Sequence, residues 1–347
     1  MPRSAFVYAT CQVGAEPYLK SEAAAAGLRF AFSRPGFVTF KVLERGEPVE
    51  VTADWSAPLI FARSQGACFG GVKGESPLEV ARGVARKLAE LGAGERALVH
   101  VFSREKVEPG DEPDHYDPEA PAKVALEALE EVGGLRLNAA PAVGEVVWEC
   151  VVVDELDWWV AAHVHRPWRR PTPGGRPALV VPPEAPSRVW LKVEEALWWS
   201  KAPMKEGEMV LDIGCSPGGG AWALLERGLW VVGVDPAKVA PQVGAHPRFM
   251  HRTEAFELLD PRTLPGEVAW IVFDVNLAPT LTLKHLARLG AGLPHLKGAL
   301  VTLKLNQPGL WKKIPWMLDQ IRAMGLTEIK ATQMFANRRE FFVYARR

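Results

Sequence analysis

Several things are scarce in this chain, and each scarcity closes off a class of function. Its 347 residues hold four cysteines, Cys11, Cys68, Cys150 and Cys215, with no pair at the C-x-x-C spacing. That argues against both a disulfide framework and a thiolate zinc site. His163 and His165 lie close in sequence, but no second pair of ligand types stands at a metal spacing, so no metal is expected. No apolar run reaches the roughly 18 residues of a membrane span, and no basic-then-apolar leader opens the chain. A soluble, cytoplasmic protein with no membrane partner is therefore expected. Net charge is lacking too, since 41 Lys and Arg balance 41 Asp and Glu.

That balance is an average over unequal segments. Between 105 and 157, fifteen acids face three Lys or Arg; between 163 and 205, eight basic residues face three acids; between 301 and 347, nine face three. A polyanion can thus meet a one-signed face although the total is zero.

The most informative stretch runs from Val210 to Asp235, VLDIGCSPGGGAWALLERGLWVVGVD. A short apolar run is followed by a glycine-rich turn, a helix-like segment and a second apolar run ending on an acid, which together read as one βαβ unit. Its glycines let backbone approach a ligand, and an acid about twenty residues beyond the first glycine can accept hydrogen bonds from ribose hydroxyls. The spacing is not GxGxxG, and Cys215, Ser216 and Pro217 stand where a pyrophosphate needs free N–H groups. S-adenosylmethionine, which carries no phosphate, fits better than a dinucleotide. Candidate cofactor contacts are Asp212, Gly214, Cys215, Ser216, Pro217, Gly218, Gly219 and Trp222 in the loop, with Asp235 and Asp274 at later strand ends.

Before about residue 165 the chain alternates short strand-like runs with helix-like segments at 17–26 and 77–91, an α+β pattern without a cofactor loop. Residues 166–186 carry seven prolines among Arg169, Arg170 and Arg176, which suits a linker or extended arm. A helix follows, near 187–201. Strands and helices then alternate, as in a parallel sheet covered on both faces. The last two strands, 327–334 and 341–345, are joined too closely for a crossover and must be antiparallel. The fold class expected is α/β: a Rossmann-like methyltransferase sheet, parallel with an antiparallel last strand.

Four charged residues fall where that topology gathers them. Lys192 is on the entering helix, Asp274 and Lys304 end adjacent strands, and Glu340 begins the last one. Lysine beside carboxylates suits methylation of an alcohol, because a ribose 2′-hydroxyl attacks only as its proton is drawn away. Lys304 is the candidate base, and Lys192 the neighbouring cation that lowers its pKa. Cys215 is the one cysteine in this half, and it lies in the cofactor loop, which disfavours a pyrimidine carbon-5 mechanism. The Val275-Asn276-Leu277 sequence after Asp274 likewise lacks the proline strip of base-amine methyltransferases. A small-molecule O-methyltransferase and a non-catalytic RNA-binding assembly factor are the alternatives.

The segments APSRVWLKVEEALWW, LDIGCSPGGGAW, FDV, TLKLN and NRREFFVYARR, and upstream PLIFARSQ at 58–65, resemble the FtsJ-like ribose 2′-O-methyltransferases. The resemblance is closest to the bacterial large-subunit ribosomal RNA methyltransferase M family. It implies methylation of a cytidine ribose in 23S rRNA, with S-adenosylmethionine as cofactor and Lys192, Asp274, Lys304 and Glu340 as a catalytic tetrad. It also implies that Asp235 holds the cofactor ribose and that Glu254 stands where the family often has an adenine-binding Asp. The organisation implied is a ferredoxin-like module at 1–52, a THUMP-like RNA-binding region at 53–165, a linker at 166–186 and the methyltransferase domain at 187–347. An RNA track is expected along Arg166 to Arg176, Lys312, Lys313, Arg338 and Arg339, with Trp168 or Trp190 as stacking surfaces.

Overall fold

A computed structural model describes residues 1–307 and 309–347. The chain divides into two compact units, Met1–Ala178 and Leu179–Arg347.

The first unit is built on one mixed sheet. In chain order its elements are β1 (Phe6–Thr10), α1 (Glu16–Ala25), β2 (Leu28–Arg34), β3 (Phe37–Glu44), β4 (Glu47–Val49), β5 (Ser64–Lys73), α2 (Pro77–Glu90), β6 (Leu98–Ser103), α3 (Ala120–Val132), β7 (Arg136–Leu137), β8 (Val146–Asp154) and β9 (Asp157–Val164). The strand order is β2-β3-β1-β5-β9-β8-β6-β7, with β4 on β3. Alternation in β8 explains its two burials: Trp148, Cys150 and Val152 pack with Val84 of α2 and Leu129 of α3, while Val151 and Val153 pack with Tyr8 and Phe37. Helix α2 begins where Ser76 accepts the Glu79 N–H and Pro77 occupies the first turn.

Strand β5 pairs with β1, so one sheet runs across residues 52 and 53. Residues 166–178 lie within the first unit. Arg169 donates to the Gln65 and Trp55 carbonyls at 2.7 and 3.0 Å, Arg176 pairs with Glu119 at 2.8 Å and Glu105 at 3.3 Å, and Gly174 is buried against Phe102. Glu105 and Glu119 of the acidic segment thus hold Arg176 inside the unit.

The second unit contains α4 (Val189–Ser200), β10 (Met209–Ile213), α5 (Gly219–Leu225), β11 (Trp230–Val234), α6 (Pro241–Gly244), β12 (Phe249–Arg252), β13 (Val268–Phe273), α7 (Pro279–Ala291), β14 (Gly298–Lys304), α8 (Ile314–Ala323), β15 (Glu328–Thr332) and β16 (Glu340–Arg346). Its order is β12-β11-β10-β13-β14-β16-β15. The first five strands are parallel, and β16 is antiparallel to both neighbours. The expected hairpin is present, but β16 inserts between β14 and β15, and β15 forms the edge. Val193 and Leu197 of α4 pack with Val210, Val272, Leu300 and Phe342 of the sheet in one core. No helix among the described residues is long and apolar enough to cross a membrane.

Candidate active site

The carboxyl ends of β10, β13 and β14 and the start of β16 meet on one rim, because β16 runs opposite to its neighbours and places Glu340 beside Lys304 in register. Four ionisable side chains converge there. Lys192 Nζ lies 3.1 Å from Asp274 Oδ2 and 2.6 Å from Glu340 Oε1. Lys304 Nζ lies 3.2 Å from Asp274 Oδ1 and also contacts Glu340 Oε2. Two ammonium groups and two carboxylates alternate around a neutral ring, and a small cavity lined by Lys192, Asp274, Thr302, Met334 and Phe342 adjoins it.

The electrostatics differ from a simple lysine pair. Burial works against the Lys192 ammonium, but Asp274 and Glu340 outweigh it and hold the group above the ordinary lysine value. Burial likewise opposes the Asp274 carboxylate, and Lys192 and Lys304 outweigh it and hold the group below the ordinary range. Lys192 is thus stabilised as a cation.

The loop after β10 forms the second part of the site. Gly214 has φ +83°, and a Cβ there would stand 2.7 Å from the Asp274 carbonyl oxygen, so only glycine lets the loop pass the end of β13. Asp212 is buried beneath the loop with Oδ2 unpartnered. Burial, then Asp274 and Asp235, push its carboxyl up to about 7. An orphaned buried carboxylate beside a glycine-rich loop fits a cationic ligand such as a sulfonium. At the end of β11, Asp235 accepts the Ser216 N–H at 3.2 Å through Oδ2 and the Ala237 N–H at 2.8 Å through Oδ1, which fixes its orientation toward the loop.

The remaining candidates are less uniform. Ser216 Oγ donates to the Lys238 carbonyl at 2.9 Å. Pro217 is exposed, while Gly218 and Gly219 are buried, and a Cβ on Gly218 would come within 2.8 Å of Val243. The Cys215 thiol is buried, and burial pushes its pKa well up, so the side chain is packing and not a nucleophile. Trp222 is half-buried against the core, edge-on to His246 at 6.3 Å. Glu254 Oε1 takes both contacts from Arg252, at 2.6 and 2.9 Å. Of the expected stacking surfaces, Trp168 is 59% exposed with Arg169 over its ring. Trp190 is buried and donates to Glu226 at 2.8 Å, so it offers no platform. Lys312, Lys313, Arg338 and Arg339 are exposed. Sequence reasoning missed Glu195, Gln333 and Asn337, buried polar residues beside the ring. The position of Glu195, one turn after Lys192 on α4, was a usable signal.

Searching family models returned no match. Among curated proteins the chain is similar to ribosomal RNA large subunit methyltransferase M of Halorhodospira halophila, 38% identical over 183 residues, covering 50% of this chain and 51% of that protein. The protein of the same name from Xylella fastidiosa is 32% identical over 190 residues, covering 52% and 51%. The chain spans about half the length of these relatives. That of Hahella chejuensis is 24% identical over 328 residues, covering 91% of this chain and 74% of its own. Among solved structures, TrmN from Thermus thermophilus aligns over 99% of each chain at 17% identity, with a TM-score of 0.36, too loose a likeness to argue from. By sequence, this chain is similar to the proteins named ribosomal RNA large subunit methyltransferase M, across half its length at 38% identity and more weakly across most of the rest.

Proposed function

We propose that this protein methylates a ribose 2′-hydroxyl of large-subunit ribosomal RNA, at a cytidine, with S-adenosylmethionine as donor. The observation that carries the reading is the ring of Lys192, Asp274, Lys304 and Glu340 beside a glycine loop with an orphaned buried carboxylate. The names and identities of the relatives support the substrate class.

When bound, S-adenosylmethionine supplies an electrophilic methyl on a sulfonium. Asp212 and Asp235, with the backbone of the 214–219 loop, would hold the cofactor, and Trp222 and Glu254 would border it. Lys192, kept protonated by Asp274 and Glu340, orients the incoming ribose oxygen. Lys304, once deprotonated, would take the proton of the attacking hydroxyl. Deprotonating an ordinary lysine at neutral pH costs about 5 kcal/mol, which loosening of the Lys304 ion pairs on entry of the hydroxyl would offset in part. We assign RNA capture to the first unit, as a ferredoxin-like and THUMP-like region, and to the exposed Lys312, Lys313, Arg338 and Arg339 of the second.

The test is Lys304→Ala, assayed by methyl transfer to undermodified ribosomal RNA and by cofactor titration. Transfer should fall by about 10²-fold or more with cofactor affinity kept. Equal loss of both would make Lys304 a binding residue and overturn the base assignment.

A further inference from the structure

Glu195, Gln333 and Asn337 are each 1% exposed, and they shape the loop that delivers Glu340. Glu195 accepts the Phe335 and Ala336 N–H groups at 2.8 and 2.9 Å, tying the loop to the helix that carries Lys192. Gln333 donates to the Arg338 and Glu340 carbonyls at 3.2 and 3.4 Å. Asn337 differs because its side chain reaches the ionic ring. Its Nδ2 donates to Glu340 Oε1 at 3.1 Å, while its Oδ1 accepts the Met334 N–H at 2.9 Å. A primary amide has one accepting end and one donating end, so the Met334 contact settles which end faces Glu340.

We propose that Asn337 is a positioning residue for methyl transfer, turning Glu340 so that Oε1 meets Lys192 and Oε2 meets Lys304. The inference rests on the functional reading above. Asn337 is uncharged and donates to the same oxygen that Lys192 contacts, so it sets the direction of the carboxylate and adds no charge to the ring. Lys192 from α4, Lys304 from β14 and Asp274 beyond β13 are the charged groups around that carboxylate. Without the amide, Glu340 is free to rotate about its side-chain bonds, and Lys304 loses the fixed distance between its two carboxylates.

The test is Asn337→Asp, a substitution of nearly equal shape. Protonated, the new acid reproduces the amide, its carbonyl oxygen accepting from Met334 and its hydroxyl donating to Glu340; ionised, it repels Glu340. Turnover at about pH 6 should therefore approach that of the unsubstituted protein and fall roughly tenfold relative to it by about pH 8, with the KM for cofactor unchanged. Asn337→Ala should be slow throughout. A variant profile parallel to that of the unsubstituted protein, or identical to it, overturns the proposal.

If the unsubstituted protein methylates no ribosomal RNA, the functional reading falls and melting decides the inference by itself. The Tm gap between the two proteins should widen as pH rises over the same range, and Glu340→Gln added to the variant should remove the widening. A constant gap, or a widening that survives Glu340→Gln, overturns the proposal.

Discussion

Asp212 is the residue whose chemistry departs most from its place in the sequence. It reads as the last polar residue of a strand, yet it is 4% exposed, has one oxygen unpartnered, and is pushed up to about 7 by burial and by Asp274 and Asp235. Its folded-state pKa lies above the unfolded value of about 3.9. The stability that goes with the protonated form is therefore fully present below about pH 4 and lost as pH rises through about 7. The shift corresponds to about 4 kcal/mol at most. Asp212→Asn should flatten this dependence, raising the Tm of the cofactor-free protein more at pH 8 than at pH 5. Calorimetry finding the same increment at both values would contradict the burial argument.

At the scale of elements, strands with strong apolar runs were legible and elements with unusual composition were not. Strand β10 takes in the short apolar run that opens the stretch at Val210, and the mostly apolar segment Val146–Asp154 forms β8. Strand β5, SQGACFGGVK, has a glycine-rich interior that argues against a strand. The structure supplies the reason, since a Cβ at Gly66 would lie 2.5 Å from the Ala162 carbonyl of the neighbouring strand β9. Helix α3 was hidden in the acidic segment, although Ala122, Ala125 and Leu129 form its buried stripe. The turn after β10 gives the prediction at this scale. Gly214→Ala must adopt φ +83° and press on the Asp274 carbonyl, so it should cost about 2 kcal/mol or more and displace a member of the ionic ring. Lower Tm together with weakened methyl transfer is the expected result; an unchanged Tm would show that the loop tolerates the side chain.

For the whole molecule, the neutral total conceals where charge is available. Arg166, Arg169 and Arg176, expected to line an RNA track, are engaged by Asp54, by backbone carbonyls and by Glu105 and Glu119 inside the first unit. Among the residues read as a track, Lys312, Lys313, Arg338 and Arg339 are exposed, and they belong to the same unit as the ring. Affinity for a ribosomal RNA fragment should fall steeply with salt. Replacing these four by alanine should reduce the slope of log K against log salt by roughly 3 to 4, about one for each phosphate contact, and leave cofactor affinity unchanged. Filter binding across a salt series measures this, and an unaltered slope would move the RNA contact elsewhere.

The alternation of strands and helices in the second unit, the glycine turn and the four candidate ions were legible in the sequence, because periodicity, turn chemistry and strand-end position are local properties of a chain. What the tertiary structure decided was every quantity that depends on partners from elsewhere. It paired Arg166 and Arg176 with distant acids and Arg169 with backbone carbonyls, buried Trp190, insulated the Cys215 thiol, and brought Asn337 and Glu195 to the carboxylate of Glu340 and the loop behind it. A side chain's charge, exposure and direction are set by neighbours brought together through sheet topology, and one-dimensional spacing carries no record of them.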